Sequence, residues 1–593
     1  MREKTKVWMG IFVSFLMVFA CVGVASSADI YYDVPSEAYP TIQSAIDAAI
    51  SLPTGSGNTA YIRVAQGTYE ENLTVEPETD GVYNIFLLGG YDGEFTSRTV
   101  DPANTVIDGR NSGRTMFINS PYGENGVQLS MTIEGFTITG GNDSFGSGVR
   151  VKAQHRYTIV FDHMMFKNNE GSSLGGGLWI SCYGEITVQN SIIKGNKSQF
   201  GAGINMEVYS QGYAKVANNI FENNNDNGSG GNGAGMSLFT YDNAVAVVEH
   251  NLFKKNTAGN STGFNVNAQG DENAVSEYGS QVTVIDNQFY KNTATSPYSG
   301  GAGMRLTAED GAVVTAKNNV IYNNTGYSGG GVVLCSKDTS QIVFSNNLIH
   351  ENEARGSWAG GGGGSLDSYN SGEIEFSNNT VTANVAPFSG GGLDIHQHDN
   401  GTINIIDSII WGNSISGTLA FGENLYIGGD SVSSVTLSYC LFNEAYPSAG
   451  WTDGGHNITG DTIDPLFVTG SLGDYYLSQE GAGQAETSPC VDAGSDTAAN
   501  LGLDHMTTRT DEVSDSGIVD IGYHYPAGMV QPVPGDADGD GDVDGTDLSG
   551  FAAAYGSSPG DSSYVDAFDL DETPGIDDGD LAIFAERFGK DGS

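Results

Sequence analysis

VVTAKNNVIYNNTGYSGGGVVLCSKDTSQIVFSNNLIHEN, residues 313–352, holds one unit of a repeat and the start of the next. NNVIYNN at 318–324 returns as NNLIHEN at 346–352. Related copies end at Asn196, Asn224, Asn256, Asn292, Asn384 and Asn413, with a weaker one at Asn169. The terminal Asn recurs at intervals of 27 to 36 residues. Three residues before each one stands an apolar side chain: Phe166, Ile193, Phe221, Phe253, Phe289, Ile321, Ile349, Val381 and Ile410. A second pattern shares the period. A Gly-rich turn precedes an alternating run, as in GGGLWIS from 175, GAGINME from 201, GAGMRLT from 301, GGGVVLC from 329 and GGGLDIH from 390. Alternation puts one face in a core and the other in solvent. Short strands, a period near thirty residues and no helical periodicity between them predict an all-β fold, a parallel β-helix. Its coils stack at about 4.8 Å, the strand spacing. A β-propeller blade needs roughly 40–50 residues, so that alternative fails on length. The recurring Asn is expected to form a ladder of side-chain amides and to tolerate left-handed backbone at the bend.

A solenoid needs capped ends. TIQSAIDAAI at 41–50 places Ile42, Ala45, Ile46 and Ala49 at helical spacing, and such a helix would plug the first coil. YIRVAQGTYEENLTV at 61–75 resembles the opening of right-handed parallel β-helix proteins, pectin-esterase-like ones included. LLGGYDGEFTSRTVDPANTVIDG at 87–109 resembles repeat-bearing bacterial β-helix surface proteins. DPLF at 464–467, SPCVDAG at 488–494 and VDIGYHYP at 519–526 resemble the closing segment of the same group. The resemblance covers roughly residues 30–526. It implies a right-handed solenoid over 29–526 and leaves function open, because this fold hosts many activities.

Arg2, Lys4 and Lys6 precede an apolar run from Val7 to Val24, and Ser26-Ser27-Ala28 fits a signal-peptidase site. Residues 1–28 therefore read as a signal peptide, and the mature chain is expected to be secreted with no membrane span. The chain has 593 residues, 24 basic against 72 acidic, for a formal charge of −48. Such a surface repels nucleic acid and suits divalent cations. Cys182, Cys335, Cys440 and Cys490 lie far apart with no CxxC spacing, so neither a zinc site nor a disulfide framework is expected.

After a linker at 527–534, GDADGDGDVDGTDLSGFAAAYG begins a different composition. Counted from Asp536, oxygen ligands fall at places 1, 3, 5, 9 and 12 of a twelve-residue loop: Asp536, Asp538, Asp540, Asp544 and Asp547. Asp542 at place 7 offers its carbonyl, and Gly541 makes the sharp turn. A second copy lies 33 residues on, with Asp569, Asp571, Thr573, Gly575, Asp577 and Asp580 at the matching places. Leu548, Phe551, Ala552 and Tyr555 map onto Leu581, Phe584, Ala585 and Phe588, and Val543 maps onto Ile576. Thr573 and Pro574 weaken the second loop. Calcium is hard and wants six to eight oxygens, which alternate residues of a tight loop supply. No helix precedes the first loop, since Pro532 and Pro534 stand there. Residues 535–593 resemble a dockerin, an α-helical module of paired EF-hand-like loops. The resemblance implies bound Ca2+ and a cohesin-type scaffold partner, met near Gly545-Thr546, Asp578-Gly579 and the adjacent helices.

On the β-helix, pectin-esterase and polygalacturonase motifs are absent. Aligning the alternating strands by their Gly turns gives an outward column in which Asp367 and Asp394 stack, about 5 Å apart. Tyr369 and His396 stack beside them, and Arg305 lies in the same column as the acids. Stacked like charges destabilise a sheet. Two chemistries would account for them: a shared calcium gripping uronic acids with Arg305 as a lyase-type base, or a glycosidase acid and nucleophile at about 5–5.5 Å. Splayed surface acids are the plain alternative. Trp179, Phe239 and Tyr369 are expected outside, where they would stack on sugar rings. The expected function is binding or degradation of polysaccharide by a secreted, calcium-binding protein docked on a scaffold. A non-catalytic adhesin is the alternative.

Overall fold

The computed structural model describes residues 29–51, 58–77, 81–119, 127–226, 231–270, 279–296, 300–417, 421–430, 434–446, 450–460 and 462–527, and, towards the C-terminus, 535, 543, 545–558, 561, 563–565, 568–570 and 575–588. The expected signal peptide at 1–28, and all but the first residue of the expected linker at 527–534, lie outside them.

Three long parallel sheets of 15, 14 and 13 strands run the length of the solenoid. They are called sheets 1, 2 and 3 here, in the order the chain visits them. One coil is Gln341–Ser345 in sheet 1, Leu348–His350 in sheet 2 and Gly364–Ser368 in sheet 3. Each strand pairs with its equivalent one coil on, as Gln341 with Glu373 and Leu348 with Thr380. Alternate side chains point inward and form a single core from Tyr32 to Phe442. Every apolar residue three places before a ladder Asn is buried in it, and Phe221, Phe253 and Phe289 stack there at 4.4 and 4.9 Å.

The Asn ladder forms as expected. Asn169, Asn196, Asn224, Asn256, Asn292, Asn324, Asn352, Asn384 and Asn413 are buried, and each donates its Nδ2 to the Oδ1 of the next. The ladder runs on through Asn424, whose Nδ2 donates to Asn443 Oδ1. A second ladder runs at the preceding bend, between sheets 1 and 2, through Asn219, Asn251, Asn287, Asn319, Asn347 and Asn379. The left-handed backbone is not on the ladder residue but on the one before it: Asn223, Lys255, Lys291, Asn323, Glu351 and Ala383 all have φ between 50° and 56°. The bend turns the chain just before the amide that staples it.

α1 (Ile42–Ile50) closes the first coil, burying Ile42, Ala45, Ile46 and Ala49. Glu71 accepts from the amides of Ile42 and Gln43 at 2.9 and 3.0 Å, satisfying two of the orphan donors of the helix start. The closing segment folds differently from an end plug. It packs back along the outer face of sheet 2, where Tyr476, Tyr523 and Tyr525 cluster on Leu348, and Leu477, Cys490 and Ile521 on Ile409 and Leu441. Backbone joins them: Gly522 donates to Asp407 and Tyr523 to Thr380, while Asn346 Nδ2 donates to the His524 carbonyl at 3.0 Å and accepts from its amide at 2.7 Å. A short α2 (Ala498–Leu501) lies in this segment. Cys182, Cys335, Cys440 and Cys490 are buried and free.

Two helices follow, α3 (Gly545–Ala554) and α4 (Asp578–Arg587). Val543, Phe551, Ala554, Phe568, Ile576 and Phe584 form a small core of their own. Both helices begin at place 10 of their loops. Asp577 caps α4. Among the described residues, no helix is long and apolar enough to cross a membrane.

Candidate functional site

The outward face of sheet 3 carries the predicted cluster, but in a different register. Its first outward column runs Trp179, Asn205, Ser237, Asn265, Arg305, Val333, Ser365, Asp394, Tyr426. The next runs Ser181, Glu207, Phe239, Asn267, Thr307, Cys335, Asp367, His396, Gly428. Asp367 therefore stands level with His396, not with Asp394, and Tyr369 stacks on His398 at 4.5 Å rather than on His396. The five-glycine run at 360–364 admits two registers. Gly364 enters the strand opposite Val332, which lays Leu366 between Leu334 and Ile395 in the core. The other register would have set the Ser368 hydroxyl among those apolar side chains. Arg305 lies three strands from Asp394, about 14 Å along the axis by strand spacing. A shared ion with Arg305 as adjacent base is thus not assembled.

Asp394 is buried. Its Oδ2 accepts from Ser389 Oγ at 3.0 Å, and Oδ1 lies 2.9 Å from His396 Nε2. Gly360 is required above it, since a Cβ there would fall 1.6 Å from Asp394 Oδ2. The contact with Asp394 raises the His396 pKa, against burial, which lowers it. Burial raises the Asp367 pKa, partly countered by His396, and Ser365 Oγ donates to Asp367 at 3.0 Å. Tyr369 is pushed up to about 12 by burial and then by Asp367. One basic imidazole between two carboxylates, with Tyr369 and Tyr426 nearby, can exchange protons and bind hydroxyl groups. Asp367 and Asp394 stand in different columns and are not stacked.

Two further features lie on this face. A groove of about 390 Å³ runs past Phe239, Asn265, Asn267, Arg305 and Thr307, with Lys337 at its rim. Lys337 is paired with Glu309 at 2.8 Å. Along the turn that leads into sheet 3, Trp358, Phe388 and Phe421 follow one another on successive coils, with ring centroids 5.2 and 5.3 Å apart. Sequence reading missed this ridge, although the signal was present: an aromatic residue stands just ahead of the glycine turn in WAGG and FSGGG. It also expected Trp179 outside. Trp179 is buried, with the Arg150 guanidinium 4.7 Å from its ring and Phe145 edge-on. Elsewhere, Glu134, Asp162 and His163 form the group among the described residues that comes closest to a metal cluster. Glu134 is already paired with Arg98 at 2.7 Å, and Asp162 accepts from Asn190 at 2.8 Å.

Of the calcium-loop residues, Asp547, Asp569, Gly575, Asp577 and Asp580 are described. Asp536, Asp538, Asp540, Asp542, Asp544, Asp571 and Thr573 lie outside the described residues. Asp547 and Asp580, at place 12 of each loop, are buried at matched helix starts. Asp580 accepts from the amides of Leu570 and Asp577, so place 12 closes back on place 2 of its own loop, next to Asp569. In the second loop this brings Asp580 beside Asp569, and carboxylate oxygens are the donors a hard cation takes.

No curated protein and no solved structure matches the chain significantly. A family model described as right handed beta helix region matches residues 274–424, the coils that carry Arg305, Asp367, Asp394 and His396.

Proposed function

We propose that this is a secreted protein whose β-helix binds polysaccharide through the outer face of sheet 3, and whose C-terminal module binds Ca2+ and docks on a cohesin-type scaffold. One observation carries the docking half. Leu548 and Leu581 are 41% and 40% exposed, and Tyr555 and Phe588 are each 45% exposed. These are equivalent positions of the two copies, while the equivalent Phe551 and Phe584 between them are buried. A core alone accounts for the buried pair and leaves the exposed pairs unexplained. A partner that covers apolar side chains accounts for both. When bound, Ca2+ would draw together the carboxylates of Asp536, Asp538, Asp540, Asp544 and Asp547, and of Asp569, Asp571, Asp577 and Asp580, with the carbonyls of Asp542 and Gly575 and the Thr573 side chain.

Calorimetric titration of the full chain with calcium is expected to give one tight and one weaker site, and Asp536→Asn with Asp538→Asn to remove the tight one. Calcium-dependent capture by a panel of cohesin domains is expected, lost in Leu548→Asp with Leu581→Asp. Absence of both calcium binding and capture would reduce the segment to an acidic tail. A catalytic reading, as a polysaccharide lyase or glycosyl hydrolase, draws its support from the Asp394–His396 contact, with His396 as the proton-transfer group. Arg305 has no part in it.

A further inference from the structure

We propose that the edge of sheet 3 at its last coils is the polysaccharide site, and that it takes an uncharged polymer laid along the solenoid axis across Trp358, Phe388 and Phe421. This rests on the polysaccharide reading above and deepens it. Trp358 is 71% exposed, the most exposed large apolar side chain among the described residues. Single exposed aromatics are common on protein surfaces. Here Trp358 is flanked on the next two coils by the half-buried Phe388 and Phe421, so it is not single. Gly360 bridges to Ser389 and Ser389 to Phe421, so the turns carrying the rings are held in register by the ladder itself. The centroid steps of 5.2 and 5.3 Å follow the coil spacing. Successive rings meet edge to face, at 69° and 67°, so a linear glycan laid along the line would meet ring faces and edges in alternation. The site is built before ligand arrives, which keeps the ordering cost of binding low.

Chemistry next to the ridge sets the class of ligand. Asp394 is tied to the ridge through Ser389 and lies against Gly360. Beyond it come His396, Tyr426 and the stacked Tyr369–His398 pair, all donors or acceptors for hydroxyl groups. Among the described residues, the acids here include Asp367, Asp394, Asp430, Glu423 and Glu444, and the imidazoles of His396 and His398 face Asp394 and Asp430. Arg355, at the other side of the ridge, is held by Glu353 at 2.7 Å. On a chain of net charge −48, a uronate polymer would be repelled from this floor. A neutral polymer meets no such penalty.

The test is calorimetry and affinity electrophoresis of the full chain with hydroxyethylcellulose, wheat arabinoxylan, galactomannan and polygalacturonate. At least one neutral polymer is expected to bind and polygalacturonate not to. Trp358→Ala and Phe388→Ala are each expected to weaken binding at least tenfold, about 1.4 kcal/mol, and Trp358→Ala to leave the melting temperature unchanged. Neutral-polymer binding untouched by either variant would put the site elsewhere, overturning this inference while the polysaccharide reading stands. Binding of polygalacturonate alone would overturn the ligand class. No binding to any polymer would overturn both.

Discussion

Asn292 is buried with its amide fully used: Nδ2 donates to Asn324 and to the Phe253 carbonyl, and Oδ1 accepts from the backbone and side chain of Asn256. Asn292→Ala leaves several buried groups without partners, at roughly 1–3 kcal/mol each. A loss of about 2–4 kcal/mol is expected in urea unfolding. The neighbouring bend gives the opposite sign. Ala383 is exposed with φ 54°, where Gly195 and Gly412 stand in other coils. A left-handed Ala costs about 1–2 kcal/mol, and Gly gives back part of that in entropy. Ala383→Gly is expected to stabilise by about 0.5–1 kcal/mol. His396 brings a pH dependence. Its folded pKa is raised by Asp394, so its contribution is complete below the ordinary imidazole value and vanishes as pH rises through the raised one. His396→Gln should therefore lower stability at pH 5.5, by no more than about 1 kcal/mol given its exposure, and leave it unchanged at pH 8.5. The ladder Asn were legible because each sits at a fixed distance from a buried apolar residue. Asp367 was not, because glycine carries no side chain to mark its register. Only the stacking of Leu366 on Leu334 and Ile395 chose between the two alignments.

The closing segment is the element whose placement the chain order concealed. It joins sheet 2 through Asn346 and His524, 178 residues apart. His350 lies beneath it, with its ring on Tyr322 at 5.2 Å and on Tyr475 of the segment at 4.9 Å. Burial lowers the His350 pKa to about 4. The depressed value means that the unfolded chain takes up the proton first. Stability is complete above the ordinary value near 6.5 and is lost as pH falls towards 4, by up to ~3 kcal/mol. Limited proteolysis should cut within 462–526 sooner at pH 4.5 than at pH 7.5, and His350→Phe should abolish the difference. The motifs DPLF, SPCVDAG and VDIGYHYP marked the segment as a unit. They said nothing of the face it covers, which depends on the outward apolar column of sheet 2 from Leu348 to Leu441. α1 was the converse case, since four apolar residues at helical spacing and the open end of a coil leave one place to go.

At the scale of the whole molecule, stability is close to a sum over neighbouring coils. Asn196 and Asn224 are 28 residues apart. Excising residues 197–224 removes one coil and joins equivalent positions, so the chain should still fold, with a β-type circular dichroism spectrum and a melting temperature lowered only by a few degrees. Excising 197–210 breaks every ladder and should abolish folding. The sequence by itself determined the parallel solenoid, its period, its first Asn ladder, its cap helix and the two-copy pattern of the C-terminal module. Each of these repeats a local pattern many times or twice in register, and repetition averages out the ambiguity of any single coil. The tertiary structure alone decided the level of Asp367 against His396, the separation of Arg305 from Asp394, the burial of Trp179, the path of the closing segment and the Trp358–Phe388–Phe421 ridge. Those depend on side chains from different coils meeting at one place, and a single slip of two residues within a glycine turn redistributes them without changing the repeat that sequence reveals.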